Sequence, residues 1–175
     1  MSMSLYLVEF CRLFIFMILL FSSIGKGRTF SQFRDNLTES FRIPGPWATT
    51  ATTLIIAVEG LLSIGILINT GLTYLAMWGA LILFIGFTLF ISATVIQDRL
   101  VRCNCFGQDE EYISYLDIIR NVVLLLACGF FLYGVQPMAF TLPLQLLLFG
   151  MAFIAYLIVT NLKNIATIAQ DPKHT

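Results

Sequence analysis

Residues 47–96 decide the fold: they read WATTATTLIIAVEGLLSIGILI (47–68), NTG (69–71) and LTYLAMWGALILFIGFTLFISATVI (72–96). Each of the two apolar segments reaches the length of about 20 residues that a helix needs to cross the hydrocarbon core of a bilayer. Glu59 is the only charged residue in the whole stretch. The short polar turn between the segments predicts an antiparallel hairpin of two membrane-spanning helices.

Three further apolar stretches, 5–24, 118–135 and 142–162, are long enough to be spans. Only 11% of the residues are charged, whereas a soluble domain carries about 25%. The sequence therefore predicts an all-α, multi-pass transmembrane bundle that occupies residues 1–175 as one domain in contact with the lipid bilayer. The formal net charge is zero, and this balance does not favour a nucleic-acid partner.

The first stretch has an alternative interpretation as a cleaved signal peptide. No basic residue precedes its apolar run, Glu9 and Arg12 lie within it, and no small-x-small cleavage motif follows. These features favour a retained helix. Glu9 and Arg12 are three positions apart, so we expect them to pair on one face of that helix.

A polar segment separates the first two spans, and it carries large apolar residues at helical spacing: Phe30, Phe33, Leu37 and Phe41. This pattern predicts an amphipathic helix over about residues 29–43, lying in the membrane interface. An ordinary solvated loop is the alternative.

Cys103 and Cys105 lie in a second polar segment, 100–117, between the third and fourth spans. Two cysteines one residue apart can close only a very small disulfide ring, and strained disulfides are easily reduced. Arg102 adjoins the pair and Arg120 follows in the next helix, and a nearby cation favours the reactive thiolate. The acidic run 109–111 opposes that effect. The pair therefore favours thiol exchange over a purely structural disulfide.

Other roles for this pair remain open. Zinc sites normally use four ligands and Cys-x2–4-Cys spacing, and the only histidine is His174 in the polar tail, so the sequence predicts no metal site. Unreactive loop cysteines are the second alternative.

Three residues inside the spans are further candidates. Cys11 and Cys128 can be small hydrophobic core residues or a second pair that relays electrons. Glu59 lies in the middle of its span, where an ionisable group is costly and is a functional candidate by default. A structural hydrogen-bonding role is its alternative.

Five spans place the amphipathic segment, the cysteine loop and the C-terminus on one side of the membrane, called side A, and the N-terminus on the other, side B. Nine of the ten basic residues then belong to side A. The positive-inside rule puts that side in the cytoplasm. Disulfide chemistry on an exported protein would instead put it outside, and the sequence leaves this conflict open.

The cysteine motif resembles that of a known family. The run Cys103-Asn104-Cys105-Phe106-Gly107 after basic residues, followed by Asp117-Ile-Ile-Arg120-Asn121 at the start of an apolar helix, is similar to the methylamine utilisation protein MauE family, which belongs with the DoxX-like membrane proteins. Lys26 after the first span, the Phe30–Phe41 segment and Glu59-Gly60 strengthen the resemblance, which covers about residues 5–135.

The resemblance implies a four-helix MauE/DoxX-like core plus a fifth helix. It also implies a thiol–disulfide oxidoreductase in which Cys103 and Cys105 are catalytic and Phe106, Gly107, Arg102, Arg120, Asn121 and Glu59 support them. The implied partners are a thioredoxin-like protein and a secreted client, which in the family is the small subunit of methylamine dehydrogenase. A membrane quinone is the implied electron carrier. A non-enzymatic scaffold for a maturation complex and a small transporter remain alternatives.

Overall fold

The computed structural model describes residues 3–41, 44–68, 71–96, 115–134 and 141–162. Within those ranges the chain forms helices and no strand. The helices are α1 (Met3–Arg28), α2 (Phe30–Phe41), α3 (Gly45–Leu67), α4 (Gly71–Ile96), α5 (Tyr115–Tyr133) and α6 (Leu142–Thr160). The predicted all-α architecture is confirmed.

Every helix in the described ranges except α2 is long and apolar enough to cross a membrane, with mean hydropathies between 1.8 and 2.2. The five predicted spans are therefore confirmed, although some of their ends differ. α1 continues beyond the predicted residue 24 to Arg28, because the polar side chain of Lys26 packs inside the bundle. α5 begins at Tyr115, inside the segment predicted as loop 100–117, and Asp117 in its first turn suits the positive end of the helix dipole.

α1 is the central helix of the bundle. Its span is 67% buried, whereas that of α6 is 11% buried. α3, α5 and α6 pack directly on α1, and α4 packs against α3 and α5. Ile15, Ile18 and Leu19 of α1 are completely buried among these helices. Because its neighbours shield it, α1 can carry charged residues without exposing them to lipid.

The outer faces of the other spans carry large exposed apolar side chains, including Leu61 on α3 and Leu126 on α5. In a bilayer these faces contact lipid. Exposed aromatic residues mark both ends of the bundle, with Trp47 and Tyr115 on side A and Tyr74 and Tyr133 on side B. Trp and Tyr favour the two membrane–water interfaces, so these residues indicate where the bilayer ends.

The predicted amphipathic helix is confirmed as α2, which packs against α1 and α3. A single turn residue, Thr29, separates it from α1, and Phe33 is its buried anchor. α3 starts immediately after Pro44, whose φ of −55° is compatible with the start of a helix. That α2 lies in the membrane interface remains a prediction.

Candidate functional site

Five predicted site residues, Arg102, Cys103, Cys105, Phe106 and Gly107, lie outside the described residues. The helices that flank them are described. α4 ends at Ile96 and α5 begins at Tyr115, and both of these ends are on side A. The remaining predicted site residues lie in the spans, and three of them line one pocket.

Glu59 forms a buried ion pair that joins two spans. Its Oε1 accepts a hydrogen bond from Nζ of Lys26, and both side chains are only 1% exposed. Ser22 lies one helical turn before Lys26 and contacts both partners. Its Oγ accepts from Lys26 Nζ at 2.8 Å and donates to Glu59 Oε2 at 3.2 Å. The partner of Glu59 is thus a residue of another helix, α1.

A second ion pair lies on α5, where Arg120 and Asp117 are one turn apart. Their closest nitrogen and oxygen atoms are 3.3 Å apart, and both side chains are about nine-tenths buried. Asn121, the next residue, is 3% exposed. Arg120 and Asn121 line the same pocket as Lys26 and Glu59. The structure therefore brings Glu59, Arg120 and Asn121 together, as residues of one buried polar cluster.

Aromatic rings surround the ammonium group of Lys26. The Nζ atom lies 4.8 Å from the ring centroid of Phe87 on α4 and 5.6 Å from that of Phe33 on α2. Both distances are within the range of cation–π attraction. Phe33 is 4% exposed, so α2 contributes its buried anchor to the environment of this cation.

The pocket between these residues is small. Its volume is about 10 Å³, and its walls are Ser22, Lys26, Glu59, Phe84, Phe87, Ile91, Arg120 and Asn121. This volume is close to the minimum that holds one water molecule. A larger groove of about 440 Å³ lies near the start of α1, with Leu7, Phe10 and Leu148 in its walls, but it is almost entirely apolar.

Neither space fits the quinone that the resemblance implies. The polar pocket has hydrogen-bond donors but no room for a quinone ring. The apolar groove has room, but it is formed by residues 4–10 at the side B end of α1, far from the ends of the cysteine loop. Neither of these two spaces therefore combines room for a quinone with a position beside that loop.

Cys11 and Cys128 are buried on α1 and α5, 6% and 0% exposed, and both are free thiols. Each belongs to the hydrophobic core. Cys128 follows Tyr115, where α5 begins, by 13 positions, which corresponds to about 20 Å along a helix. This distance favours their interpretation as core residues over direct exchange with the loop, and their role as a second pair stays a prediction.

The predicted Glu9–Arg12 pair forms on α1, with Arg12 Nε donating to Glu9 Oε2 at 2.9 Å. Sequence reasoning missed that Arg12 also donates to the carbonyl of Ile66, at 2.9 Å, and to that of Leu67, at 3.4 Å. It also missed Lys26 as the partner of Glu59. Lys26 looked like an ordinary basic residue at a span end, and its only signal was that Glu59 needed a cation.

Comparison with known proteins identifies the family. The chain matches the family described as methylamine utilisation protein MauE over residues 4–134. The match covers α1 to α5, including the cysteine motif and the whole buried polar cluster, and leaves out α6. No curated protein and no solved structure matches the chain. The chain belongs to the MauE family of multi-pass membrane proteins, and this membership supports a role in maturation for methylamine utilisation.

Proposed function

We propose that the protein is a thiol–disulfide exchange protein of the membrane, with Cys103 and Cys105 as the exchanging pair. In the proposed step, a thiolate of a thioredoxin-like partner attacks the Cys103–Cys105 disulfide and forms a mixed disulfide. The second partner thiolate then resolves it. The partner loses two electrons and two protons and becomes a disulfide, and the loop becomes a dithiol. The oxidised partner then acts on a secreted client.

The observation that carries this proposal is the position of the buried polar cluster. Asp117, Arg120 and Asn121 lie in the first two turns of α5, directly after the cysteine loop in the chain. Arg120 and Asn121 line the same pocket as the ion pair of α1 and α3, and Asp117 pairs with Arg120. Buried ionisable groups inside a membrane are costly and mark functional positions. One group of buried charged residues in the described bundle therefore lies next to the start of the helix that follows the cysteines.

The geometry of the described residues gives less support to the two alternative functions, a scaffold and a transporter. A scaffold that docks its partner through Phe33 would need that side chain on the surface, but it is buried beside Lys26. The side chain of Phe41 lies outside the described residues. A transporter that uses Glu59 would need a path for its solute, but the pocket beside Glu59 holds about one water molecule.

The proposal is tested by trapping the redox state of the loop in intact membranes. Free thiols are blocked with an alkylating reagent, disulfides are then reduced, and the released thiols receive a heavier label that mass spectrometry counts. We expect a disulfide-linked Cys103–Cys105 fraction that disappears in Cys103→Ser and in Cys105→Ser. The matched control is the double variant Cys11→Ala/Cys128→Ala, in which the same fraction should persist.

Partner capture adds an independent outcome. A thioredoxin-like partner that keeps only its attacking cysteine should accumulate a mixed disulfide with the wild-type loop, because the second partner thiolate that resolves it is missing. If the wild-type pair is never oxidised and both serine variants still support maturation of the client, the exchange function is wrong. The alkylating reagent in a membrane-impermeant form also assigns the side of the loop. The positive-inside rule favours a cytoplasmic loop even when buried basic residues are left out of the count. Lys26 and Arg120 are buried in ion pairs, and side A holds most of the remaining basic residues.

A further inference from the structure

Lys26 points in an unexpected direction for its position. It lies in the last turn of α1, on side A, where Arg28 also lies. Lysines near the ends of membrane helices normally extend their ammonium groups to the headgroup region. The side chain of Lys26 instead runs back along α1 to Ser22 and across to Glu59, and it is 1% exposed.

Side chains of three other helices contact Lys26 in this inward position. Glu59 on α3 supplies the opposite charge, and Phe87 on α4 and Phe33 on α2 supply aromatic faces. Phe33 is also the residue by which α2 is anchored in the bundle. The inward ammonium group therefore connects the charge of Glu59 to the docking of α2.

We propose that the Lys26–Glu59 pair is a latch that holds α2 against the bundle. When Glu59 is charged, the ammonium group stays inside, beneath Phe33, and α2 is docked. When the negative charge of Glu59 is removed, the inward ammonium group loses its buried counter-charge in a low-dielectric interior, and the nearby membrane surface becomes its more favourable position. The positive charge of Arg120, on the wall of the same pocket, favours the same movement.

The movement has a defined structural consequence. Phe33 loses the cation that it covers, α2 loosens from α3, and the small pocket opens on side A. The latch is independent of thiol exchange, so either proposal can fail while the other stands.

The latch is tested by measuring how fast Lys26 reacts with an amine-acylating reagent in the full chain, reconstituted into lipid discs. The chain has three lysines, so Lys163 and Lys173 give reference rates within the same molecule. In the wild type, Lys26 should react slowly. In Glu59→Gln its rate should rise at least about tenfold, since loss of the buried partner shifts the equilibrium outward. Glu9→Gln, which removes a buried acid towards the opposite end of α1, should leave the rate unchanged.

Hydrogen exchange of the α2 backbone gives a second readout. Amides of residues 30–41 should exchange faster in Glu59→Gln than in the wild type, while α6 should be unchanged. If Glu59→Gln folds and Lys26 stays as protected as in the wild type, the latch does not exist.

A second variant covers the case in which Glu59→Gln does not fold. Phe33→Leu keeps the ion pair and most of the packing but removes the aromatic face. It should raise α2 exchange and raise Lys26 labelling by a factor of a few. Wild-type rates for both measurements in this variant would overturn the proposal.

Discussion

Two buried ion pairs, one towards each end of α1, illustrate different uses of charge in a membrane bundle. On side B, Glu9 and Arg12 pair within α1, and Arg12 also binds two carbonyl groups at the end of α3. Towards side A, Lys26 of α1 pairs with Glu59 of α3 beside a polar pocket. The first pair includes backbone groups among its partners, and the second is built from side chains of different helices.

This difference distinguishes a buried charge with a structural role from a buried charge with a functional role. The last carbonyl groups of a helix have no partners within it, and inside a membrane they need a donor. Arg12 supplies one, so its burial has a structural explanation. The Lys26–Glu59 pair does not serve an end of α3, because Glu59 lies well inside that helix. The Lys26–Glu59 pair joins α1 to α3, and we explain the free-energy cost of burying it by its control of α2.

The largest expected effect comes from breaking the Lys26–Glu59 pair on one side only. Glu59→Gln or Lys26→Met should each lower the free energy of unfolding by about 3–5 kcal/mol, because Lys26→Met strands the buried charge of Glu59, and Glu59→Gln loses the ion pair together with the docking of α2. The double variant Lys26→Met/Glu59→Gln should recover most of that loss. Unfolding of the reconstituted protein by denaturant, followed by circular dichroism, measures all three.

This double-variant cycle also tests whether the pair is a unit. If the losses of the two single variants simply add, the two side chains are not coupled, and both the comparison and the latch lose their basis. A recovered double variant would show instead that the two side chains are coupled and that the pair adds little net stability.

A smaller loss, about 2–3 kcal/mol, is expected for Arg12→Met, since charged hydrogen bonds to Glu9 and to the α3 carbonyls are removed. Adding Glu9→Gln should restore little of it, because the carbonyls of Ile66 and Leu67 still lack their donor. The same unfolding assay applies. Full recovery in Glu9→Gln/Arg12→Met would mean that Arg12 does not serve the end of α3, and the two pairs would then be equivalent.

The sequence predicted the local pair and missed the distant one, for a physical reason. Glu9 and Arg12 are three positions apart on one helix, so helical periodicity alone brings them together. Lys26 and Glu59 are 33 positions apart, and only the antiparallel packing of α1 against α3 joins them.

The spans could be predicted because apolar length is a property of the sequence itself, and α2 because its apolar residues recur with helical period. The helix ends were less predictable. Asp117 was predicted at the end of the loop 100–117, yet it lies in the first turn of α5, where it pairs with Arg120 and is buried. The chemistry of Cys103 and Cys105 could be proposed from their spacing, whereas their placement depends on a segment outside the described residues.

The tightness of helix packing around α3 should also differ between the neighbourhood of Arg12 and that of Lys26. A Cβ atom at Gly65, near the Arg12 site, would lie 2.9 Å from Cβ of Ala76, whereas at Gly60, near Lys26, the nearest atom is Ser23 Oγ at 3.4 Å. Gly65→Ala should therefore destabilise the protein by about 1–3 kcal/mol through overpacking. Gly60→Ala should be close to neutral, because the helix propensity of Ala offsets the tighter contact. Thermal unfolding measures both, and equal losses would show that the side A end is packed as tightly as side B.

A loss of about 1 kcal/mol is expected for Ser22→Ala, and this variant is the most discriminating. Ser22 accepts from Lys26 and donates to Glu59, whereas its neighbour Ser23 donates to the carbonyl of Ile56. Ser22→Ala and Ser23→Ala should cost similar stability, because each loses hydrogen bonds of a single hydroxyl. Only Ser22→Ala should raise the acylation rate of Lys26, by a factor of a few, since it weakens the inward position without changing any charge. A similar rise in both variants would show that Lys26 responds to general loosening of α1 against α3, and the side A pair would then be as structural as the one on side B.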